Sequence, residues 1–285
     1  MQHVSTVSAL RAEINAWRQR DLQVAFVPTM GNLHEGHLSL VTEARKLADR
    51  VVTSIFVNPL QFDDKADLSV YPRTLDQDIQ QLTSVECDLV FTPSAETMYP
   101  DGMDKHTIIT VPGMDDKLCG RSRPGHFDGV ATVVAKLFNM VRADIAVFGE
   151  KDYQQLLLIK KMVVELNIPI KIIGLPTFRE QNGLAMSSRN QYLTPQQRNQ
   201  AASLYRILND IKTKLEKGES KFAILEQKAR EELQNLGFDP DYVEIRQAGN
   251  LELAKQSDKA LRILLAARLG KARLIDNIAC DLSSN

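Results

Sequence analysis

The chain has 285 residues, 44% of them hydrophobic, with 35 Lys and Arg against 36 Asp and Glu and three cysteines. At roughly 150 residues per domain this length argues for two domains, and the charge balance leaves no nucleic-acid footprint and no basic membrane face. Cys87, Cys119 and Cys280 are odd in number and far apart, no apolar run approaches a membrane span, and the first ten residues lack a secretory pattern, so the reducing cytoplasm is the expected compartment.

Val7, Leu10, Ile14 and Trp17 recur at nearly helical spacing and predict a first helix over 7–20. Val24-Ala-Phe-Val-Pro-Thr29 then reads as a short buried strand, and Leu38, Val41, Ala44, Leu47 and Ala48 as one face of a helix. Arg50–Val57 is a mostly apolar run that suits a parallel strand buried on both faces, and it ends in Asn58-Pro-Leu-Gln-Phe62. A helix over Leu75–Val85 feeds a strand at Asp88–Phe91. Two strand-helix-strand units in succession predict an open α/β sheet with right-handed crossovers, whose binding crevice lies at the carboxyl ends of its strands. Asn58, Gln61, His34 and His37 all follow strands.

The pattern breaks between Ser94 and Gly129. Pro100-Asp-Gly102 marks a turn, Thr107–Val111 alternates like an edge strand, and Gly120–Phe127 reads as a basic, glycine-rich loop. A strongly apolar helix over Phe127–Val141 and a strand at Asp144–Phe148 resume the α/β order. Gly149-Glu-Lys-Asp-Tyr-Gln-Gln155 follows, with Asp152 as the expected N-cap of a helix reaching Leu166, and then a strand at Ile170–Leu175. Thr194 is expected to cap a long helix from Pro195 to about Lys217, and a second helix runs from Ser220 to about Leu236. Asp241–Arg246, Leu261–Arg268 and Ala272–Asn277 read as short strands. The boundary is expected near residue 180, with residues 1–180 as a Rossmann-like domain and 181–285 as a smaller α+β domain that lays Ser187–Arg189 over a nucleotide as a lid.

The junction Met30–His37 carries the densest chemistry. Gly31 and Gly36 remove side-chain bulk, and a helix beginning near Gly36 aims amide groups at any anion placed there. His34 and His37, three residues apart, share one side of a first helical turn, where imidazoles can hydrogen-bond phosphate oxygens or offset their charge. Metal ligation, or one capping and one surface histidine, are the alternative readings. The stretch has neither the G-x-x-x-x-G-K-[ST] of a P-loop nor the G-x-G-x-x-G of a dinucleotide site.

Pro28-Thr-Met-Gly31 with His34-Glu-Gly-His37, Ser54–Phe62, Tyr71–Leu75, Arg123–Phe127, Phe148–Gln155, Met186-Ser-Ser-Arg-Asn190 and Ile275-Asp-Asn277, in that order, resemble the pantothenate synthetases, a family of AMP-forming pantoate:β-alanine ligases. That resemblance implies the fold of the nucleotidyltransferase superfamily with the H-x-G-H signature, and a two-step reaction. Pantoate attacks the α-phosphorus of Mg-ATP, and β-alanine then displaces AMP from pantoyl adenylate. It further implies that Met30, Gly31, Asn32, Leu33, His34, Glu35, Gly36 and His37 line ATP, with His34, His37 and Lys151 acting on the reacting phosphates. Gly149, Glu150, Lys151, Asp152 and Phe178 are further nucleotide contacts, Met186, Ser187, Ser188 and Arg189 form the phosphate lid, and Gln61 and Gln155 hold pantoate. Arg123 and His126 are read either as site residues or as solvated surface. The resemblance implies ATP and Mg²⁺, no resident metal, a homodimer formed through the first domain, small-molecule substrates, and neither nucleic acid nor membrane as partner. A cofactor nucleotidyltransferase, a class I tRNA synthetase fragment and a non-enzymatic interaction module are the competing readings.

Overall fold

In a computed structural model, residues 1–62, 68–69 and 71–282 are described. They divide into two compact units. The first comprises the described residues of Met1–Glu150 and Gln154–Pro176, and the second Lys151–Tyr153 with the residues from Thr177 on.

The first unit is built on a six-stranded sheet in the order β1-β4-β3-β2-β5-β6, comprising β1 Gln2–Val4, β2 Val24–Thr29, β3 Arg50–Ile55, β4 Leu89–Phe91, β5 Ile145–Gly149 and β6 Lys171–Leu175. Every pairing is parallel. Its register is pinned at the amino ends by aspartates that each precede a strand. Asp49 accepts from the Gln23 amide, Asp88 from Val51 and Asp144 from Val24, each at 2.8 Å. Each bond ties the start of one strand to the start of its neighbour, so β3, β2 and β5 finish side by side. Val24, Ala25, Phe26 and Val27 are fully buried, as a central parallel strand covered on both faces requires. One face packs Ala25, Val27, Val51 and Val147 against Val41, Ala44 and Leu82 from the helices Glu35–Leu47 and Leu75–Ser84. On the other face Phe138, from the helix His126–Val141, meets Phe26 and Phe148 edge-on at 6.3 Å. The open α/β sheet expected from the hydrophobic runs is therefore present.

The second unit has an antiparallel sheet, β7 Asp239–Gln247, β8 Ala260–Leu269 and β9 Ala272–Asp281 in that order. The helix Ser203–Glu216 buries Leu204, Ile207, Leu208, Ile211 and Leu215, one stripe at helical spacing, within the core formed with this sheet.

Several local expectations are corrected. Thr107–Val111 forms no strand: the Ile109 amide bonds the Thr132 hydroxyl at 2.9 Å instead of a ladder partner, and Ile108 is 59% exposed. The basic loop contains a short helix, Leu118–Ser122, because Gly120 lets backbone pack where a Cβ would come within 2.1 Å of the Met114 carbonyl. Glu150–Asp152 is a 3-10 turn running straight into the helix Tyr153–Glu165, so Asp152 lies within the turn and does not cap a helix. The helix from Pro195 does start on a Thr194–Gln197 capping box, but it is divided into Pro195–Ala201 and Ser203–Glu216. β1, too short to show a period, is an edge strand paired with β4.

Two buried polar groups shape the loops at the carboxyl edge. Gly31 and Asn32 take left-handed backbone, with φ of 77° and 49°. The carboxylate of Asp78 holds that turn by accepting from the amides of Asn32 at 3.0 Å and Leu33 at 2.8 Å and from the Thr74 hydroxyl at 3.2 Å. A Cβ at Gly31 would lie 3.0 Å from both the Asp78 carboxylate and Ile55, so the turn is also tight on this side. After β3, buried Asn58 donates to the Gly129 carbonyl at 3.1 Å and accepts from the Tyr99 hydroxyl at 2.9 Å and the Leu60 amide at 3.4 Å. Gly129 has no room for a side chain there: a Cβ would stand 2.3 Å from the Leu60 carbonyl.

Two outcomes are expected. Asp78→Ala orphans two loop amides beside the core and should lower the unfolding free energy by about 2 to 4 kcal/mol in urea titrations; a loss below about 0.5 kcal/mol would mean that water replaces the carboxylate. Burial pushes the Tyr99 phenol up to about 12. Its contribution to stability is therefore complete below the ordinary tyrosine value near 10 and is lost as pH rises through about 12. The phenolate absorbance of the native protein minus that of Tyr99→Phe should show this late midpoint, and a difference curve centred near 10 would refute it.

Candidate functional site

The sheet reverses its strand order between β2 and β5: β3, β4 and β1 lie on one side of β2, while β5 and β6 lie on the other. In an open parallel sheet the crevice forms outside the carboxyl ends at such a reversal. The segments leaving β2, β3 and β5 there are Met30–His37, Asn58–Gln61 and the stretch from Gly149 on.

On the first of these segments, His34 is the N-cap of the helix Glu35–Leu47 and His37 lies in its first turn. The His37 amide bonds the His34 carbonyl at 2.8 Å, and the two half-buried rings lie 4.0 Å apart, tilted by 31°. Both imidazoles therefore share one side of the helix's amino end, as their spacing predicts, where backbone amides and the helix dipole favour an anion. Leu33 is different. Its side chain belongs to the core and its amide is bound to Asp78, so a ligand can meet it only through the carbonyl. Met30, Asn32 and Gly36 are half-buried, Gly31 is buried and Glu35 is exposed.

Gln61 ends a 3-10 turn, Pro59–Gln61, and is buried. Its carbonyl accepts from His126 Nδ1 at 2.8 Å and from Arg123 Nη2 at 3.0 Å, while Arg123 Nη1 lies 3.3 Å from His126 Nε2. A carbonyl only accepts, so Nδ1 carries the hydrogen in this geometry, and Nε2 can accept from the guanidinium. Arg123 and His126 are thus not loose surface charges, because they hold the backbone of Gln61. Nothing in their spacing announced it. On the third segment, Gln154 is buried and committed to the neighbouring chain: its amide donates to the carbonyls of Met114 at 2.8 Å and Lys117 at 3.0 Å and accepts from the Cys119 amide at 3.1 Å. Gln155 beside it is half-buried.

Within the second unit, Lys151, Ser187 and Arg189 line one pocket with Asn190, Arg273, Ile275 and Asp276. Lys151 Nζ lies 3.7 Å from the Asp152 carboxylate. Ser187 caps the turn Ser188–Tyr192, its hydroxyl accepting from the Arg189 amide at 3.2 Å. Asn190 bonds Glu180 at 2.9 Å and the Ala185 carbonyl at 3.1 Å. Asp276 takes both arms of Arg179 at 2.7 and 2.9 Å, and that guanidinium lies 3.7 Å over the Tyr205 ring. Phe178 is 40% exposed, and its carbonyl accepts from the Met186 amide at 3.0 Å. So His34 and His37, Gln61 and Gln155 lie on the segments that follow the neighbouring strands β2, β3 and β5 of the first unit, and Lys151, Ser187 and Arg189 line one pocket of the second. Among the described residues no group of three His, Cys, Asp or Glu could hold a metal ion, and no helix is long and apolar enough to cross a membrane.

Sequence reasoning missed Asp78, which occupies a core position in the stripe Leu75, Ile79, Leu82; a carboxylate at such a position was the available signal.

Residues 2–279 match the profile of the family described as pantoate-beta-alanine ligase. A pantothenate synthetase of Shewanella loihica is 51% identical over 281 residues, covering 99% of each chain. One from Pseudomonas putida is 54% identical over 282 residues, covering 99% of this chain and 98% of the relative. The crystal structure of a Thermus thermophilus pantothenate synthetase superposes with a TM-score of 0.91 at 44% identity, covering 98% and 99% of the two chains. A Francisella tularensis pantoate-beta-alanine ligase, described as complexed with beta-gamma ATP and beta-alanine, gives a TM-score of 0.81 at 37% identity over 98% and 97%. With a profile met along nearly its whole length and relatives more than half identical, the chain belongs to the pantoate-β-alanine ligase family.

Proposed function

We propose that this chain condenses pantoate with β-alanine, using ATP, to give pantothenate, AMP and pyrophosphate through a bound pantoyl adenylate. The observation that carries the reading is the family match across residues 2–279. The ligands named for the Francisella tularensis relative support ATP and β-alanine as two of the three substrates.

The chemistry requires an activated acid. An amine does not displace oxide from a carboxylate. A pantoate oxygen therefore attacks the α-phosphorus, the bond to pyrophosphate breaks, and the acid becomes a mixed anhydride. The neutral amine of β-alanine then forms the C–N bond as the acyl C–O bond to AMP breaks, with the surplus amine proton passing to water or to the phosphate of the departing AMP. Mg²⁺ enters as part of the substrate Mg-ATP. In this reading Met30–His37 takes ATP, with His34 and His37 donating to its phosphates from a helix amino end that already favours negative charge. Lys151, Ser187, Ser188 and Arg189 supply the charge and donors that offset the departing pyrophosphate, and Gly149, Glu150, Asp152, Phe178 and Met186 are further nucleotide contacts. Gln61 and Gln155 bind pantoate through uncharged amides, which offer donors and acceptors to a hydroxy-carboxylate without adding charge. His37 acts here as a phosphate ligand more than as a proton donor, since pyrophosphate leaves without strong acid assistance. The reading includes a cytoplasmic homodimer that works on small molecules alone.

The direct test is product analysis with ATP, pantoate and β-alanine, each omitted in turn. Under multiple turnover, AMP, pyrophosphate and pantothenate should accumulate together only with all three and Mg²⁺. Formation of ADP and orthophosphate would indicate an acyl-phosphate route, which breaks ATP at a different bond, and would overturn the proposal.

The glutamines allow a sharper test. Losing one amide leaves a pantoate group unpaired, a cost of about 1 to 3 kcal/mol. Gln155→Ala is therefore expected to raise the KM for pantoate by roughly 5-fold to 150-fold, while ATP affinity measured without pantoate changes little. Gln61→Ala should behave similarly, with a further effect on β-alanine use. Equal losses for ATP and pantoate would show that these residues do not form the pantoate pocket.

A further inference from the structure

The segment that carries Lys151 is held in an unusual way. Glu150 and Gln154 belong to the first unit, but Lys151, Asp152 and Tyr153 between them belong to the second. Both ends of this tripeptide are gripped by the antiparallel sheet and its connections. At one end Asn277 of β9 donates from Nδ2 to the Lys151 carbonyl at 2.9 Å. At the other the Tyr153 hydroxyl donates to the Ala248 carbonyl at 3.0 Å, and the Arg262 guanidinium of β8 lies 3.9 Å over the Tyr153 ring. The two grips are joined, because Arg262 Nε donates to Asn277 Oδ1 at 2.6 Å. That bond also orients the Asn277 amide: with its oxygen taken by a cation, its NH₂ group faces the Lys151 carbonyl.

Asn277 is 3% exposed and Arg262 5%. Burying a guanidinium against an amide oxygen and an aromatic face is costly, and on β8 Arg262 alternates with Leu261 and Ile263, which belong to the helix-packed core. What it does achieve is to fix one peptide, that of Lys151, whose side chain is only 16% exposed and lines the pocket with Ser187 and Arg189.

We propose that Asn277, oriented by Arg262, is a positioning residue for Lys151, setting where its ammonium stands during adenylate formation. This rests on the role of Lys151 in the proposed ligase reaction. Asn277 and Arg262 both act through the lysine backbone rather than on substrate, and their removal should appear in rate more than in ATP affinity.

Single-turnover pyrophosphate release at saturating ATP and pantoate, measured on folded protein, tests it through a double-mutant cycle. Lys151→Ala should slow release by about 10²-fold. Asn277→Ala should slow it by about 5-fold or more in the native background, and by less than about 2-fold in the Lys151→Ala background, where there is no ammonium left to misplace. Asn277→Asp keeps the acceptor for Arg262 while removing the donor to Lys151, so it should retain the thermal midpoint better than the alanine variant and still lose rate. An equal loss from Asn277→Ala in both backgrounds, or a native rate in Asn277→Asp, would overturn the positioning role while leaving that of Lys151 intact. A native rate in Lys151→Ala would overturn both.

Discussion

The register of the parallel sheet is the constraint on which everything at its carboxyl edge depends. Aspartates that precede β3, β4 and β5 each reach sideways to an amide at the start of an adjacent strand, and these bonds fix the strands' relative height before any loop is drawn. A slip of one residue would turn every buried side chain of β2 to the opposite face. It would also raise one exit segment above its neighbours, and His34, Gln61 and Gln155 would no longer leave the sheet together. The strands themselves carry little chemistry. Val24 to Val27 are wholly apolar, with Thr29 at the carboxyl end of β2 and the buried Thr53 and Ser54 near that of β3.

Above that edge, the functional loops are shaped by polar side chains that come from other parts of the chain. Asp78 gathers the amides of Asn32 and Leu33, Asn58 joins the turn of Gln61 to the helix His126–Val141, and Arg123 with His126 fastens the Gln61 carbonyl. Each satisfies backbone groups that a tight, half-buried loop would otherwise leave unpaired. The geometry of these loops is consequently set by distant side chains as well as local ones, and a substitution at Asn58 or His126 disturbs the turn that carries Gln61.

Much of this order was legible in the sequence because it follows from short-range pattern. The apolar runs of β2, β3 and β5, the stripe of the helix Glu35–Leu47, the i,i+3 pairing of the histidines and the capping chemistry of Thr194 are all local, and all are present. What could not be read is long-range. β1 has three residues and no period, and exists because β4 offers a free edge. Thr107–Val111 alternates correctly for a strand yet finds no partner, its Ile109 amide going to a helix hydroxyl. Arg123 and His126 could be read as site residues or as solvated surface, but not as holders of a turn, because their acceptor, the Gln61 carbonyl, lies 62 and 65 residues away. The division after Ala201 left no mark in composition either, since Ala202 itself has helical torsions.

The excursion of Lys151–Tyr153 bears on how the polypeptide could be dissected. The second unit is not a contiguous stretch of chain: three of its residues are supplied from within the span of the first. A fragment beginning at Thr177 would keep the helices and all three strands of its core, but Arg262 would face water where the Tyr153 ring had been and Asn277 would have no Lys151 carbonyl to meet. During synthesis the same three residues emerge well before Thr177, and Lys151 meets its partner Asn277 on β9 only 126 residues later. The placement proposed for the Lys151 ammonium therefore waits on strands made long after the lysine itself.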